Sequence, residues 1–261
     1  MSQHTVAAAL EALGDDAPVV QSGQLRLGII VCMMAGCVSY SRRFYEEVLQ
    51  DPATASPLIF PETVFNAPAS HLAAYLNSAT ANYTLVGDDG TFLQGLALAA
   101  DWLEDGRADG CVVAGTEEMD WIVPYATRLF RRSTIYGCGA GALYLKKNSA
   151  GPVRLAAVTD SFPFTQTQNR AAAARRMRMQ LGSGAPDELL CDSETANSIA
   201  WPGRRLILKE TMGEAFAAST AWQCVTACDA IRQNQFPAAS VSLVGANQQA
   251  IGARFVKTNS L

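Results

Sequence analysis

The stretch TLVGDDGTFLQGLALAADWLEDGRADGCVVAG, residues 84–115, carries the clearest structural pattern in the chain. Thr84, Leu85 and Val86 are β-branched or apolar and predict a buried strand. Gly87, Asp88, Asp89 and Gly90 break it sharply. Phe92, Leu93, Leu96, Ala97, Ala100 and Leu103 then recur at helical spacing, and Gly106 supplies a helix-ending glycine. Cys111 to Ala114 form a second apolar strand. The whole is a βαβ unit with two adjacent carboxylates where a strand turns into a buried helix. Many α/β enzymes place a nucleophile at such a corner. Here it holds Asp88 and Asp89.

With 261 residues, the chain can bury a sizeable core as one large domain or two small ones. It is 49% hydrophobic and only 17% charged, which excludes a disordered chain. A net charge of −4 argues against a nucleic-acid binder. No apolar run reaches the roughly 18–20 residues of a membrane span. The opening MSQHTVAAALEALGDD lacks a basic n-region, so no signal peptide is expected. Seven cysteines, without CxxC spacing and set in apolar stretches, predict buried thiols in a reducing compartment, by default the cytoplasm.

Outward from the central unit, residues 5–13 predict a short helix and Gly14, Pro18 and Gly23 a loop. Leu25–Met33 reads as a buried strand, Tyr40–Leu49 as an amphipathic helix, and 58–65 as an apolar stretch interrupted by Pro61. A helix over Ala67–Leu76 has Asn66 as its N-cap and Pro68 in its first turn. Thr116–Asp120 reads as an acidic turn, followed by strands over Ser133–Gly137 and Ala140–Lys146. NSAGP, residues 148–152, is the best internal boundary and divides the chain into 1–148 and 149–261. Beyond it come a strand Val153–Val158, a helix Gln168–Leu181, a Gly-rich loop 182–186, Glu188–Cys191, and a strand Leu206–Lys209. A loop Glu210–Glu214, a long helix from Ala215 to Asn234 and strands Val241–Gly245 and Ala250–Lys257 complete it.

The halves rhyme. AADWLEDG (99–106) and ACDAIRQN (227–234) each end a helix and are followed by apolar strands closing on glycine, CVVAG and SLVG. ALYLKK and ARFVK follow in turn. An offset of half the chain predicts a duplicated α/β layout with two central helices packed together, not a solenoid.

On these residues the chain resembles the thiolase superfamily, and within it the β-ketoacyl-acyl-carrier-protein synthases. FPETVFNAPASHLAAYL (60–76) looks like the family's segment leading into its dimer interface. Residues 84–120 look like the nucleophile strand, the buried helix and the next strand, and GCGAGALYLKK (137–147) like the family's Gly-Ala-Gly strand, with Cys138 in place of its acidic residue. LKETMGEAFAAS (208–219) looks like the lysine and Gly-His segment, and VGANQQAIGARF (244–255) like the closing glycine-rich strand. The resemblance implies a thiolase-like, duplicated αβαβα layered fold in a shortened form. The chain begins about where the third core element is expected, and the active-site lid is missing.

The resemblance also implies that catalysis is lost. A synthase carries a cysteine at the N-terminus of the buried helix, where the helix dipole lowers its pKa. Asp89 falls there, with Asp88 as the other candidate. The first catalytic histidine falls in CDSETAN (191–197), at Ser193 or Asp192, and the second at Glu214; only Lys209 is retained. Independently of any alignment, the chain has two histidines, His4 and His71, and none later. Decarboxylating condensation needs a thiolate and imidazoles facing the developing enolate, whereas carboxylates would repel it.

Asp88 and Asp89 could form a general acid/base pair, or Asp89 a covalent nucleophile; the plainer reading is a carboxylate at a helix N-terminus. Glu194 and Glu214 could join Asp89 in an acid cluster, but without histidine no metal is expected. Cysteine chemistry at Cys111, Cys138, Cys191, Cys224 or Cys228 is not expected, since none has a basic neighbour. Arg170, Arg175, Arg176 and Arg178, with Arg128, Arg131 and Arg132, offer either a docking surface for an acidic carrier protein or solvated surface. The resemblance assigns acyl-tunnel and interface roles to Asn66, His71, Ala74, Tyr75, Tyr83 and Phe92, with no cofactor. The expected function is a non-condensing, chain-length-factor-like subunit paired with an active ketosynthase and its acyl carrier protein. Two alternatives remain: a homodimeric acyl-chain or carrier-protein binding module, and a carboxylate-based thioester hydrolase. The dimer is expected to form through strand Asn82–Val86, with Tyr83→Pro breaking it.

Overall fold

The computed structural model describes residues 1–129, 134–147, 149–165, 169–182, 184–193, 201–245 and 248–258. The first half runs α1 (Ser2–Leu13), α2 (Asp16–Gln21), β1 (Leu27–Met33), α3 (Val38–Gln50), a 3-10 turn at Phe60–Thr63 and α4 (Ala67–Tyr75). It continues through β2 (Asn82–Val86), α5 (Thr91–Glu104), β3 (Gly110–Glu117), α6 (Ile122–Thr127) and β4 (Gly139–Lys146). The second half runs β5 (Val153–Val158), β6 (Phe162–Pro163), α7 (Arg170–Leu181), β7 (Leu189–Asp192) and β8 (Arg204–Leu206). The short α8 (Lys209–Met212), the long α9 (Phe216–Arg232), β9 (Ala238–Val244) and β10 (Gln249–Lys257) follow.

Two sheets sandwich α5 and α9. The first has the order β2–β1–β3–β4 and the second β5–β10–β9–β7–β8, with β6 beside β10. The central strands are apolar at successive positions because both their faces are buried. On β1, Ile30 and Cys32 face the middle layer, while Ile29, Val31 and Met33 pack with Leu72 and Leu76 in the outer layer, which α1 and α4 cover. Met177 and Leu181 of α7 close the opposite face with Phe162 and Phe164. The layering is αβαβα, and the two central helices are the duplicated elements that the sequence rhyme marks.

Several elements depart from the sequence reading. The strand at 84–86 is a half-exposed edge rather than a buried strand, and β1 inserts between it and β3. Pro18 lies inside α2; in the first helical turn its missing N–H has no intrahelical partner to lose. Thr116–Glu117 continue β3 as a buried strand opposite Gly139–Ala140, not as a turn. The strand expected at 133–137 reduces to a single bridge, Tyr136 to Glu214, and Ser133 lies outside the described residues. The strand expected at Leu206–Lys209 stops at Leu206, where its pairing with β7 runs out, and the loop after it is α8.

Candidate functional site

The fold brings Asp89, from the first half of the chain, together with Lys209 and Glu214 of the second at the N-termini of α5 and α9. Lys209, at the start of α8, directs its Nζ to Asp89 Oδ2 at 2.8 Å and to Glu214 Oε2 at 2.5 Å. Asp89 is fully buried and Glu214 is 3% exposed. Glu214 Oε1 accepts the Phe216 N–H at 2.9 Å, and the Asp89 carbonyl accepts the Thr220 hydroxyl at 2.8 Å. The chain reverses between Lys209 and Glu214 at Gly213, whose φ of +77° suits glycine.

Asp88 belongs to a neighbouring network. Its Oδ1 accepts the Gly90 N–H at 3.0 Å and the Gln249 amide at 3.1 Å. Gly245 makes room for it: a Cβ there would lie 2.0 Å from Asp88 Oδ2. Asp88 therefore braces the turn that leads into α5, whose N-cap Gly90 has no side-chain capping bond, while Asp89 turns to Lys209. Asp88 Oδ2 and Asp89 Oδ1 are buried without a hydrogen-bond partner among the described residues.

A further buried carboxylate, Glu117, borders the site. It accepts the Met34 and Ala35 amides at 2.5 and 3.0 Å. Burial pushes its pKa up to about 8 against the opposing pull of these amides and that of Ala217, and the Asp89 charge adds to the rise. Burial likewise raises Asp88 and Glu214, each helped by the Asp89 charge. For Lys209, burial disfavours the ammonium, but the charges of Asp89 and Glu214 outweigh it and hold the pKa above its ordinary value. Thus one ammonium is clamped by carboxylates that resist ionising together.

This arrangement has a pH signature. Glu117 titrates near pH 8 in the folded protein and near 4.5 when unfolded, so the native state binds the extra proton. The associated stability is complete below the unfolded pKa and is lost as pH rises through the folded one. We expect the unfolding free energy from urea titrations to fall between about pH 5 and about 8, by up to ~1.4 kcal/mol per pH unit. Glu117→Gln should flatten that slope, and a midpoint that rises with pH would contradict the assignment.

Ser193 does not join the cluster. It accepts the Val244 N–H at 2.8 Å and ties β7 to β9. Asp192, the alternative at that position, is paired with Arg178 and Arg205, each at 2.9 Å. Arg178 is therefore turned inward rather than offered for docking. Arg170 and Arg176 lie over the rings of Phe164 and Phe162, at 5.4 and 4.7 Å. Glu194, Arg131 and Arg132 lie outside the described residues. Burial raises the thiols of Cys111, Cys191 and Cys228, to about 11, about 12 and about 12, and those of Cys32 and Cys224 as well. Cys138 is the exception to the expectation of buried thiols, being exposed.

Among the residues assigned to tunnel and interface, His71, Ala74 and Tyr75 lie on the exposed side of α4, with the His71 ring 2.8 Å from Glu62. Asn66 is exposed and occupies the N-cap position, but in helical backbone geometry its side chain makes no cap bond. Tyr83 is 52% exposed and stacks edge-on against Trp102. Phe92 is fully enclosed in the middle layer, among the core residues of α5.

Solved structures with the same architecture were found across nearly the whole chain. A type II polyketide synthase acyl-carrier protein in complex with its ketosynthase bound to the hexaketide gives a TM-score of 0.77 at 13% identity, covering 98% of this chain and 82% of that one. The fold is that of the ketosynthases. A β-ketoacyl synthase from Burkholderia phymatum gives 0.75 at 12% identity, covering 99% and 82%. The ishigamide ketosynthase/chain length factor gives 0.71 at 17% identity, covering 90% and 74%. No protein-family model and no curated protein matches the sequence. With the ketosynthase fold in place, the N-terminus of α5 is where the resemblance expects a thiolate, and there the chain has the carboxylate of Asp89.

Proposed function

We propose that the chain is a non-condensing, ketosynthase-like subunit that pairs with an active ketosynthase in the cytoplasm and shapes the acyl pocket of the pair. The observation that carries this reading is the Asp89–Lys209–Glu214 clamp. It supports the reading because the resemblance expects a thiolate at Asp89 and an imidazole at Glu214, and both positions carry carboxylates clamped on one ammonium. The neighbour named as a ketosynthase/chain length factor supports a paired role, and the complex of a ketosynthase with its carrier protein supports delivery of the acyl chain by such a carrier. Residues 1–148 and 149–261 act as the two duplicated halves of one body.

The pairing surface is the edge of β2 with the adjoining outer side of α4. Tyr83, Val86, Tyr75 and Phe65 are 52%, 53%, 56% and 45% exposed. An apolar sheet edge left uncovered is an aggregation hazard, and an interface removes it. Ala74, small and exposed on α4, leaves volume at the end of the partner's tunnel. Co-expression with a cysteine-bearing ketosynthase and a carrier protein tests the reading through a co-purifying complex and its products. Ala74→Phe should shorten the product by one or more extension steps while the complex stays intact, since overpacking a formed cavity costs about 1–3 kcal/mol. An unchanged product distribution from the purified variant complex would remove the chain-length role.

A further inference from the structure

Lys209, Asp89 and Glu214 also meet the geometric needs of a covalent step, an amide bond between two side chains of one chain. The Lys209 Nζ lies 2.8 Å from Asp89 Oδ2, so the carboxyl carbon is at most one C–O bond length further away. Both reacting residues are held by their own backbones. The Asp89 carbonyl accepts the Thr220 hydroxyl at 2.8 Å, and the Lys209 carbonyl accepts the Gly213 N–H at 3.2 Å. A fixed approach of this kind replaces the freedom that two separate groups would lose on meeting. Asp89 Oδ1 has no hydrogen-bond partner among the described residues, so one carboxyl oxygen is unanchored. Glu214 touches the same nitrogen, at 2.5 Å, and its other oxygen is fixed by the Phe216 N–H.

The surroundings favour condensation over its reversal. Asp89 and Glu214 are buried, so little water reaches the carboxyl carbon. Joining the two side chains also removes one positive and one negative charge from a site where ions carry a desolvation cost. The neutral amide that results keeps one N–H to donate to Glu214. We propose that Asp89 and Lys209 join slowly in the folded protein as an intramolecular amide, with Glu214 as the proton carrier.

The ammonium first passes a proton to Asp89, which leaves an amine beside a carboxylic acid. Nζ attacks Cγ, and the Glu214 carboxylate takes the proton that the nitrogen sheds. Glu214 then returns that proton to the hydroxyl on Cγ, the C–O bond breaks, and one water leaves. A C–N bond replaces a C–O bond, nothing is oxidised or reduced, and Glu214 ends as it began. The first transfer is the slow one, because the charges of Asp89 and Glu214 hold Lys209 as an ammonium. Freshly folded protein therefore carries the ion pair, and the link accumulates afterwards. It joins residues 120 positions apart and ties the turn into α5 to the segment before α9. The link rests on the geometry of the clamp and is independent of the paired role.

Denaturing mass spectrometry of the full chain, refolded and held at neutral pH for increasing times, tests this. The wild type should convert to a species lighter by one water, which runs ahead of the unlinked chain in reducing, denaturing electrophoresis. Trypsin should release residues 44–107 joined to 206–232, uncut at Lys209. Lys209→Arg keeps the positive charge in the clamp but cannot form the amide, and it should stay at full mass. Glu214→Gln should slow the conversion by about a hundredfold or more. Three outcomes overturn the proposal. The first is a wild type that keeps its full mass and yields no joined peptide after weeks. The second is a loss of water that persists in Lys209→Arg, which would assign it to cyclisation of Asp89 onto the Gly90 amide. The third is conversion of Glu214→Gln at the wild-type rate.

Discussion

Replacing Lys209 by Met should destabilise the protein by about 3–5 kcal/mol at neutral pH, the scale for removing one partner of a buried ion pair. The ammonium lies within 2.8 Å of Asp89 and 2.5 Å of Glu214, and both carboxylates are almost wholly buried. Without it, two desolvated anions would face each other. One must take a proton, which Glu214, already raised by burial and by the Asp89 charge, is suited to do. The loss should therefore be smaller at acid pH and grow as pH rises, since the proton-binding state is the folded one. Adding Asp89→Asn and Glu214→Gln should recover most of the stability, because an uncharged set leaves no charge buried unpaired. A urea midpoint for Lys209→Met equal to that of the wild type at pH 8 would mean that the clamp is not a structural unit.

Thr84→Pro should break the pairing through β2, raising the dissociation constant roughly a hundredfold, about 3 kcal/mol. The ladder chooses the residue. Ile29 N–H bonds to the Ala81 carbonyl and Gly87 N–H to that of Met33. Ala81, Tyr83 and Leu85 therefore turn their backbone toward β1, and Asn82, Thr84 and Val86 turn theirs outward. Tyr83→Pro, which the sequence alone suggests, would cut the chain's own ladder and confound misfolding with dissociation. Proline at an outward position removes one donor and sets a ring where the partner strand must lie, while the sheet is spared. Sedimentation velocity at micromolar concentration should find the wild type paired, with itself or with its ketosynthase, and the variant monomeric with a native spectrum. A monomeric wild type would refute the edge as an interface.

The fold was legible where the physics is local or strongly periodic. β1 and the body of β3 are apolar runs because they are covered on both faces, and α5 and α9 are recognisable because each is followed by a strand closing on glycine. What escaped was set by tertiary context. Nothing in NYTLV distinguishes a sheet edge from its interior, and Ile207-Leu208 look like strand although β7 offers no further partner. At the site, Asp89 lies 120 residues from Lys209, which has Glu214 five residues on, so the meeting of Asp89 with that pair was accessible only through the resemblance and the duplication. Glu117 reads in the sequence as part of an acidic turn, whereas it ends β3. Its position directly after the apolar run CVVAGT was the available signal, since a strand that stays buried carries its last carboxylate inward. The inward turn of Arg178 to Asp192 left no trace in the helix's charge pattern.

Release of carbon dioxide from malonyl-acyl-carrier protein tests the central claim most directly, with the purified chain alone and again in complex with its ketosynthase. Alone, the wild type and Asp89→Cys should both stay at the level of a heat-treated control, because the restored thiol would still face Lys209 and Glu214 with no imidazole at Ser193 or Glu214. In the complex, release should depend on the partner's cysteine and be unaffected by Asp89→Ala. Turnover by the chain alone that Asp89→Ala abolishes would contradict the account.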